Sequence, residues 1–346
     1  MLQGQKVGII GAGSFGTAIA NLLAYNVDVL LYSRKADLSR QINETRQNLG
    51  VVLSDRVTAT NDLQEVAESC TLLFPVVPSE SFRNMMRYLS PYLRPYHIII
   101  HGTKGLDTPD LASVMATDKM ITRKDVHTMS EVVLQESVVR RVGCLSGPNL
   151  AQEILEGLPT ATVIGSNYNE VIELGKAVLS SRVFHVFGTN DILGAELAGA
   201  LKNIIAIGSG ILKGKSYGKN LQAMLITRGL IEMTRFGIAM GSTHSAFFGT
   251  AGIGDLIATA TSKKSRNFTF GYRLGQGESI QAIQSTMPEL AEGVRTLSIA
   301  FQLAKYYKLH VPITNMLYKV VFEGFEFDRA MDFLMTYPYD VDVDIF

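Results

Sequence analysis

Two hydrophobic patterns divide this chain. In the first half, short apolar runs of strand length recur: VGII (7–10), DVLLYS (28–33), TLLFPVV (71–77), HIIIHG (97–102), VGCLSG (142–147), TATVIG (160–165) and RVFHVFG (182–188). Between them lie segments with helical spacing, from Ser14 to Tyr25, from Ala36 to Thr45, and from Ser79 onward. Such alternation predicts a doubly wound, mainly parallel sheet with helices on both faces. Near Thr189 the period changes. From there to about Leu334 apolar residues return every three or four positions, and long helices are predicted at 191–213, 219–239, 293–307 and 313–323. The expected organisation is an α/β domain over residues 1–188 and an all-α C-terminal domain over 189–346. The polar stretch 118–138 reads as an excursion on the first domain, and no internal repeat or low-complexity segment is visible.

Composition narrows the function classes. The 346 residues suit two domains at about 150 residues each. Lys plus Arg and Asp plus Glu are both 32. The balance gives no reason to expect nucleic acid or an anionic membrane as partner, so a basic site would be local and built for a small anion. No signal-peptide pattern opens the chain, and no uninterrupted apolar run reaches about 18 residues, so no membrane insertion is expected. Cys70 and Cys144 both lie in strand-like apolar runs, which fits buried reduced thiols in a cytoplasmic protein. No zinc-type spacing occurs, and no metal is expected.

GAGSFG (11–16) fits G-x-G-x-x-G and stands between an apolar strand and an amphipathic helix. In that context Gly11 allows the tight turn and Gly13 lets the backbone approach a pyrophosphate. Gly16 permits close packing, and the helix start offers N–H groups to the anion. The sheet is therefore expected to be Rossmann-like. An NAD-specific site would carry an acid at the end of the second strand, about 20 residues on. Here that place reads Tyr32-Ser33-Arg34-Lys35. Two cations favour a 2′-phosphate, hence NADP(H), with NAD(H) also accommodated; a solvated basic helix start is the plainer reading.

ELAGALKNIIAIGSGI (196–211) is the most apolar predicted helix, yet Lys202 and Asn203 interrupt it. The same-face neighbours of Lys202 are Ala195, Ala198, Gly199, Ile205, Ala206 and Ser209, nearly all small. They would form a trough where a ligand comes close to the backbone, and burial would make the amine a better base. Close helix packing, with the amine reaching water, explains the same pattern. Other segments add chemistry. TKG (103–105) and SGPN (146–149) follow strand ends, where ligands collect in open α/β sheets. Asp255 follows a glycine-rich turn in AGIGDL (251–256), and Ser265, Arg266 and Asn267 in SKKSRNFTFG (262–271) suit a cluster of phosphate oxygens. His101 precedes the TKG turn, where a strand-end His held by a hydrogen bond is the plainer reading.

In order, GAGSFGTAIA, TKGL, SGPNLAQEI, GLPTA, ALKNIIAIGSGI, ITRGLIEM, AGIGDLIATATSKKSRNFTFGYRLGQG and VPIT resemble the NAD(P)-dependent glycerol-3-phosphate dehydrogenases of the bacterial type. The resemblance spans roughly residues 5 to 325. It implies reversible reduction of dihydroxyacetone phosphate to sn-glycerol 3-phosphate, a glycerophospholipid precursor. Lys202 is then the general base at the C2 hydroxyl, Lys104 polarises the substrate oxygen across from it, and Asp255 tunes the amine. Arg266 and Asn267 hold the substrate phosphate with help from Ser265, and Gly147 and Asn149 complete the substrate contacts. Beside Gly11, Gly13 and Gly16, the residues Ser14, Phe15, Arg34, Lys35, Lys104, Ala151, Arg266 and Glu292 line the cofactor. The resemblance also implies a homodimer. One departure stands out: the family pattern after Ser-Gly-Pro usually has Ser or Thr, and here it is Asn149. Rival readings are a 6-phosphogluconate or β-hydroxyacid dehydrogenase, which shares the layout, and a non-catalytic NADP(H)-binding sensor, which would not need Lys104, Lys202 and Asp255 together.

Overall fold

A computed structural model describes residues 6–108, 121–287 and 291–337. By packing, the described residues fall into two units: those of 1–107 with 128–196, and those of 108–127 with 197–346. Residues 189–196 thus group with the sheet. The polar excursion is divided between the units at 127/128, with 118–120 outside the described residues.

The first unit is built on β1 (Lys6–Ile10), β2 (Asp28–Tyr32), β5 (Val57–Thr60), β6 (Leu72–Pro75), β7 (Ile98–His101), β8 (Arg141–Ser146), β9 (Thr160–Ser166) and β10 (Phe184–Thr189), while β3 (Gln47–Asn48) and β4 (Val51–Val52) make a separate antiparallel hairpin. The sheet order is β5-β2-β1-β6-β7-β8-β9-β10, and every pair is parallel except β8 with β9. Because successive side chains alternate faces, a strand covered on both sides must be apolar throughout. Ile98 and Ile100 enter one core with Val7, Ile9, Val29 and Leu31; Ile99 enters the other with Ile10 and Leu30. From β1 the chain moves to β2 and β5 on one side, then crosses to β6, β7 and β8 on the other. That reversal opens a crevice at the carboxyl ends of β1 and β6, which is where doubly wound sheets bind ligands.

Pattern reading missed β5, whose VTAT buries only Val57 and Ala59 among its apolar residues, and the helix Met129–Glu136 inside the polar excursion. The second had a local signal. Thr128 accepts from Glu131 N while Glu131 accepts from Thr128 N, a reciprocal cap spelled T-x-x-E. Cys144 lies in β8 as expected, but Cys70 ends the helix Leu63–Ser69 instead of lying in a strand. Both are buried, and burial pushes the Cys70 thiol up to about 12, which makes it a poor nucleophile.

In the second unit helices predominate. Ile192–Gly214, whose first five residues group with the sheet, is long and apolar enough to cross a membrane by length and composition. Here 89% of its apolar window is buried inside the protein, so it is a core helix. It meets the helix Arg266–Gly275 backbone to backbone. A Cβ on Gly210 would lie 2.1 Å from the Phe268 carbonyl oxygen, and one on Gly271 would lie 2.0 Å from that of Ile207. Only glycine permits this approach, and it fixes the start of the second helix against the one that carries Lys202.

Candidate functional site

The residues predicted to act gather in two groups, one in each unit. In the first, β1 ends at Ile10 and the chain turns sharply at Gly11, where φ is +124°. A side chain there would be strained by the backbone and would meet the Val76 carbonyl oxygen at 2.9 Å. Gly16 sits against the same turn: its Cβ would be 1.8 Å from the Gly11 oxygen. Gly13 is exposed, and a Cβ on it would meet nothing within 4 Å. It leads into the helix Ser14–Leu23, whose first turn holds no acid. The start of that helix therefore suits an anion electrically as well as sterically. Phe15 covers Gly102, and with Ala151 it packs on the sheet core. Arg34 and Lys35 follow β2 and are exposed, with no carboxylate paired to either among the described residues. These groups fit a phosphorylated dinucleotide: donors for the pyrophosphate, cations for a further phosphate, and no acid where a bare ribose would be held.

The structure brings Lys104 and Gly147 together. Thr103 Oγ1 donates to the Val77 carbonyl at 2.6 Å, which pins the TKG turn, and Lys104 Nζ donates to the Gly147 carbonyl at 2.6 Å. Gly147, like Gly11, has φ +124°, a backbone conformation that favours glycine. Asn149 is partly committed to the protein. Its Nδ2 donates to Thr162 Oγ1 at 2.9 Å, and its buried Oδ1 has no partner among the described residues. One amide hydrogen is thus spoken for and the second is left as a donor. His101 is buried with Nε2 2.9 Å from Glu196 Oε1 and 3.1 Å from Ser130 Oγ, which accounts for it structurally.

In the second group Lys202 is 5% exposed, and its amine makes two short bonds: to Asp255 Oδ1 at 2.6 Å and to Thr259 Oγ1 at 2.5 Å. Asp255 is 1% exposed and begins the helix Asp255–Thr261, straight after a π-helical turn over Thr250–Gly254. Such turns are rare and often mark functional positions. The small neighbours of Lys202 do not form an open trough. Ala195, Ala198, Ala206 and Ser209 are all 0% exposed, and Ser209 Oγ donates to the Ala260 carbonyl. The stripe serves close packing, which corrects that part of the expectation. What it supplies is a dry wall around one amine and one carboxylate.

Ser265 caps the helix Arg266–Gly275, accepting from Phe268 N at 3.3 Å, and no acid occupies its first turn. Arg266 is exposed at that end. Asn267 is more committed than expected: Nδ2 donates to Asn203 Oδ1 at 2.8 Å, and Oδ1 accepts from Gly293 N at 2.8 Å. It ties the anion-facing helix start to the Lys202 helix and to the helix Glu292–Tyr307, at whose first position Glu292 stands. Thr259 escaped the sequence reading, and Asn203 was noted only as an interruption of the apolar run, with no role. Thr259 lies four residues after Asp255, one helical turn on, and that spacing was the available signal. The motifs ITRGLIEM and VPIT prove structural. Glu232 is 3% exposed and accepts from Ile313 N, Thr314 N and Thr314 Oγ1 at 2.6, 2.9 and 2.7 Å, so it caps the helix Pro312–Phe322. Burial pushes its carboxyl up to about 7, against the pull of these donors.

Comparison with known proteins adds three findings. The sequence matches the family described as NAD-dependent glycerol-3-phosphate dehydrogenase, its N-terminus over residues 6–172 and its C-terminus over residues 191–332. It is 38% identical over 338 residues to a glycerol-3-phosphate dehydrogenase of Carboxydothermus hydrogenoformans named for NAD(P)+, with 96% of each chain covered. A namesake from Pseudomonas putida is also 38% identical, covering 99% of this chain and 98% of the relative. Among solved structures, a glycerol-3-phosphate dehydrogenase from Coxiella burnetii superposes with a TM-score of 0.86 at 31% identity, over 96% of this chain and 99% of that one.

Proposed function

The chain belongs to the NAD-dependent glycerol-3-phosphate dehydrogenase family, and on that premise we propose that it reversibly reduces dihydroxyacetone phosphate to sn-glycerol 3-phosphate, with NADP(H) favoured and NAD(H) accepted. The observation that carries this reading is the buried Lys202 amine bonded to Asp255 and Thr259, beside a helix start built for an anion. When bound, the dinucleotide supplies the hydride to C2 of the substrate. Every other task falls to the chain. The carbonyl oxygen gains negative charge as C2 is reduced and must take a proton. Lys202, held as an ammonium beside a carboxylate, donates it; in the oxidising direction the neutral amine takes it back. Asp255 keeps the amine oriented throughout. Lys104 polarises the carbonyl oxygen, and Gly147 contacts the substrate through its backbone. Arg266, the helix start, Ser265 and the second amide hydrogen of Asn267 hold the phosphate. Asn149, with one amide hydrogen committed to Thr162, keeps its second as a donor for a substrate oxygen.

In this reading residues 1–188 hold the dinucleotide and lend Lys104, Gly147 and Asn149 to the substrate, while 189–346 supply the other substrate and catalytic groups, in a cytoplasmic homodimer whose product is a glycerophospholipid precursor. The test is an assay of purified protein, following nicotinamide absorbance with NADPH and NADH separately. With NADP+ in place of NADPH, sn-glycerol 3-phosphate should be oxidised at least about a hundredfold more efficiently than 6-phosphogluconate, on the scale that a dedicated polar site discriminates. The reverse preference, or no turnover with dihydroxyacetone phosphate, sinks the reading.

A further inference from the structure

We propose that Asn48 is a positioning residue for the dinucleotide, holding down the carbonyl groups of the glycine loop so that its N–H groups face the pyrophosphate. Asn48 lies on β3, in the hairpin whose turn at Leu49 and Gly50 has φ of +51° and +76°. Two bonds seat the hairpin on the helix Ser14–Leu23: Asn21 Nδ2 donates to the Val52 carbonyl at 2.9 Å, and Ser54 N donates to Asn21 Oδ1 at 3.0 Å. Asn48 is 1% exposed. Its Nδ2 donates to the Ala12 carbonyl at 2.9 Å and to Thr17 Oγ1 at 2.8 Å. Thr17 passes the tie on, since its hydroxyl donates to the Gly13 carbonyl at 2.9 Å.

Peptide planarity converts these ties into an orientation. In a trans peptide the C=O and N–H of one unit point in opposite directions. The Ala12 carbonyl shares its unit with the Gly13 N–H, and the Gly13 carbonyl shares its unit with the Ser14 N–H. Drawing both carbonyls toward Asn48 and Thr17 turns both N–H groups the other way, toward the open side of Gly13. Asn48 Oδ1 supports this reading, because it is buried without a partner. An unsatisfied buried acceptor is costly, and a flipped amide would set Oδ1 against the Ala12 oxygen. The side chain is thus held in place for its two donor hydrogens.

This inference rests on the cofactor reading above. The test measures binding of NADPH and of adenosine 2′-monophosphate, which carries the extra phosphate but no pyrophosphate. Asn48→Ala should weaken NADPH about tenfold and leave the inhibition constant of adenosine 2′-monophosphate within twofold of the original. In the assay the KM for NADPH should rise and that for dihydroxyacetone phosphate should not. Thr17→Val, which keeps the shape and loses the hydroxyl, should weaken NADPH by a smaller factor, and it carries the test if the Asn48 variant does not fold. Unchanged NADPH affinity in both variants, or equal loss for both ligands, overturns the proposal while the cofactor reading stands. Failure of the unmodified chain to bind NADPH sinks the cofactor reading and the proposal together.

Discussion

The two groups of functional residues solve opposite problems. Around the glycine loop the proposed binding groups are backbone N–H donors, and the side chains matter by being absent: Gly13 is open, while Gly11 and Gly16 are excluded from carrying a Cβ by carbonyl oxygens at 2.9 and 1.8 Å. Its charged members, Arg34 and Lys35, stand in solvent. Around Lys202 the working groups are side chains, buried and bonded to one another as Lys202–Asp255–Thr259 and Asn203–Asn267. A backbone site is specified by a short local pattern and tolerates change around it. A buried polar network is specified by partners far apart in sequence and fails when one is removed. Damage to the second group should therefore be severe and confined to chemistry, whereas damage to the first should be graded and confined to cofactor affinity.

The strongest way to break that contrast is Lys202→Met. Loss of the proposed proton donor should cut kcat by roughly a thousandfold or more. Asp255, 1% exposed, would lose the cation bonded to it, and that should cost about 3 kcal/mol of stability, read by urea unfolding. NADPH should still bind, as checked by titration. A variant that loses NADPH binding as completely as turnover would erase the distinction between the two groups.

That distinction also explains what could be read from the sequence. GAGSFG announces itself because three glycines and a strand-to-helix switch fall within a few residues. Lys202 was visible as an anomaly, a cation inside the apolar run 196–211, but its partners Asp255 and Thr259 are 53 and 57 positions away and no local period points to them. Asn267 was read as a phosphate ligand from its neighbours Ser265 and Arg266, while its bonds to Asn203 and Gly293 come from tertiary packing. The small residues beside Lys202 suited a ligand trough and a helix interface equally well, and only the Ser209–Ala260 bond decides for packing. The strands were legible because a sheet covered on both faces needs continuous apolar runs. VTAT at β5 was not, because its two threonines dilute the signal.

A second test uses the buried carboxylate that caps the helix Pro312–Phe322. Glu232 titrates near 7 in the folded chain against 4.5 for an ordinary glutamate, because burial favours the neutral form. Between those values the folded state holds a proton that the unfolded state has released. Stability from this group is thus fully present below about pH 4.5 and falls as pH rises toward 7, by at most about 3 kcal/mol. Urea midpoints measured from pH 5 to 7.5 should decline more steeply in the unmodified chain than in Glu232→Gln. Equal slopes would mean that the three donors at Ile313 and Thr314 keep the carboxylate ionised throughout. The helical unit would then hold its buried charges more firmly than its burial alone implies.

The smallest effect is expected at the exposed edge of the first group. Arg34 lies beyond β2 with no carboxylate partner among the described residues, so its removal leaves nothing buried and unsatisfied there, and the fold should not register it. What it can lose is its attraction for a phosphate on the ribose. Charge-assisted bonds at a solvated site contribute on the order of 1.5 kcal/mol, so Arg34→Ala should lower kcat/KM for NADPH roughly tenfold. The value for NADH should stay within twofold, since that dinucleotide offers only a hydroxyl there. Raising the salt concentration should shrink the difference between the two cofactors in the unmodified chain and leave the variant nearly unaffected, because exposed charges are screened over about 10 Å at 0.1 M. If NADPH and NADH decline together, Arg34 acts on the shared part of the dinucleotide, and Lys35 or the glycine loop must then account for any preference. If neither declines, the two cations after β2 are ordinary solvated charge, and the first group works through its backbone alone.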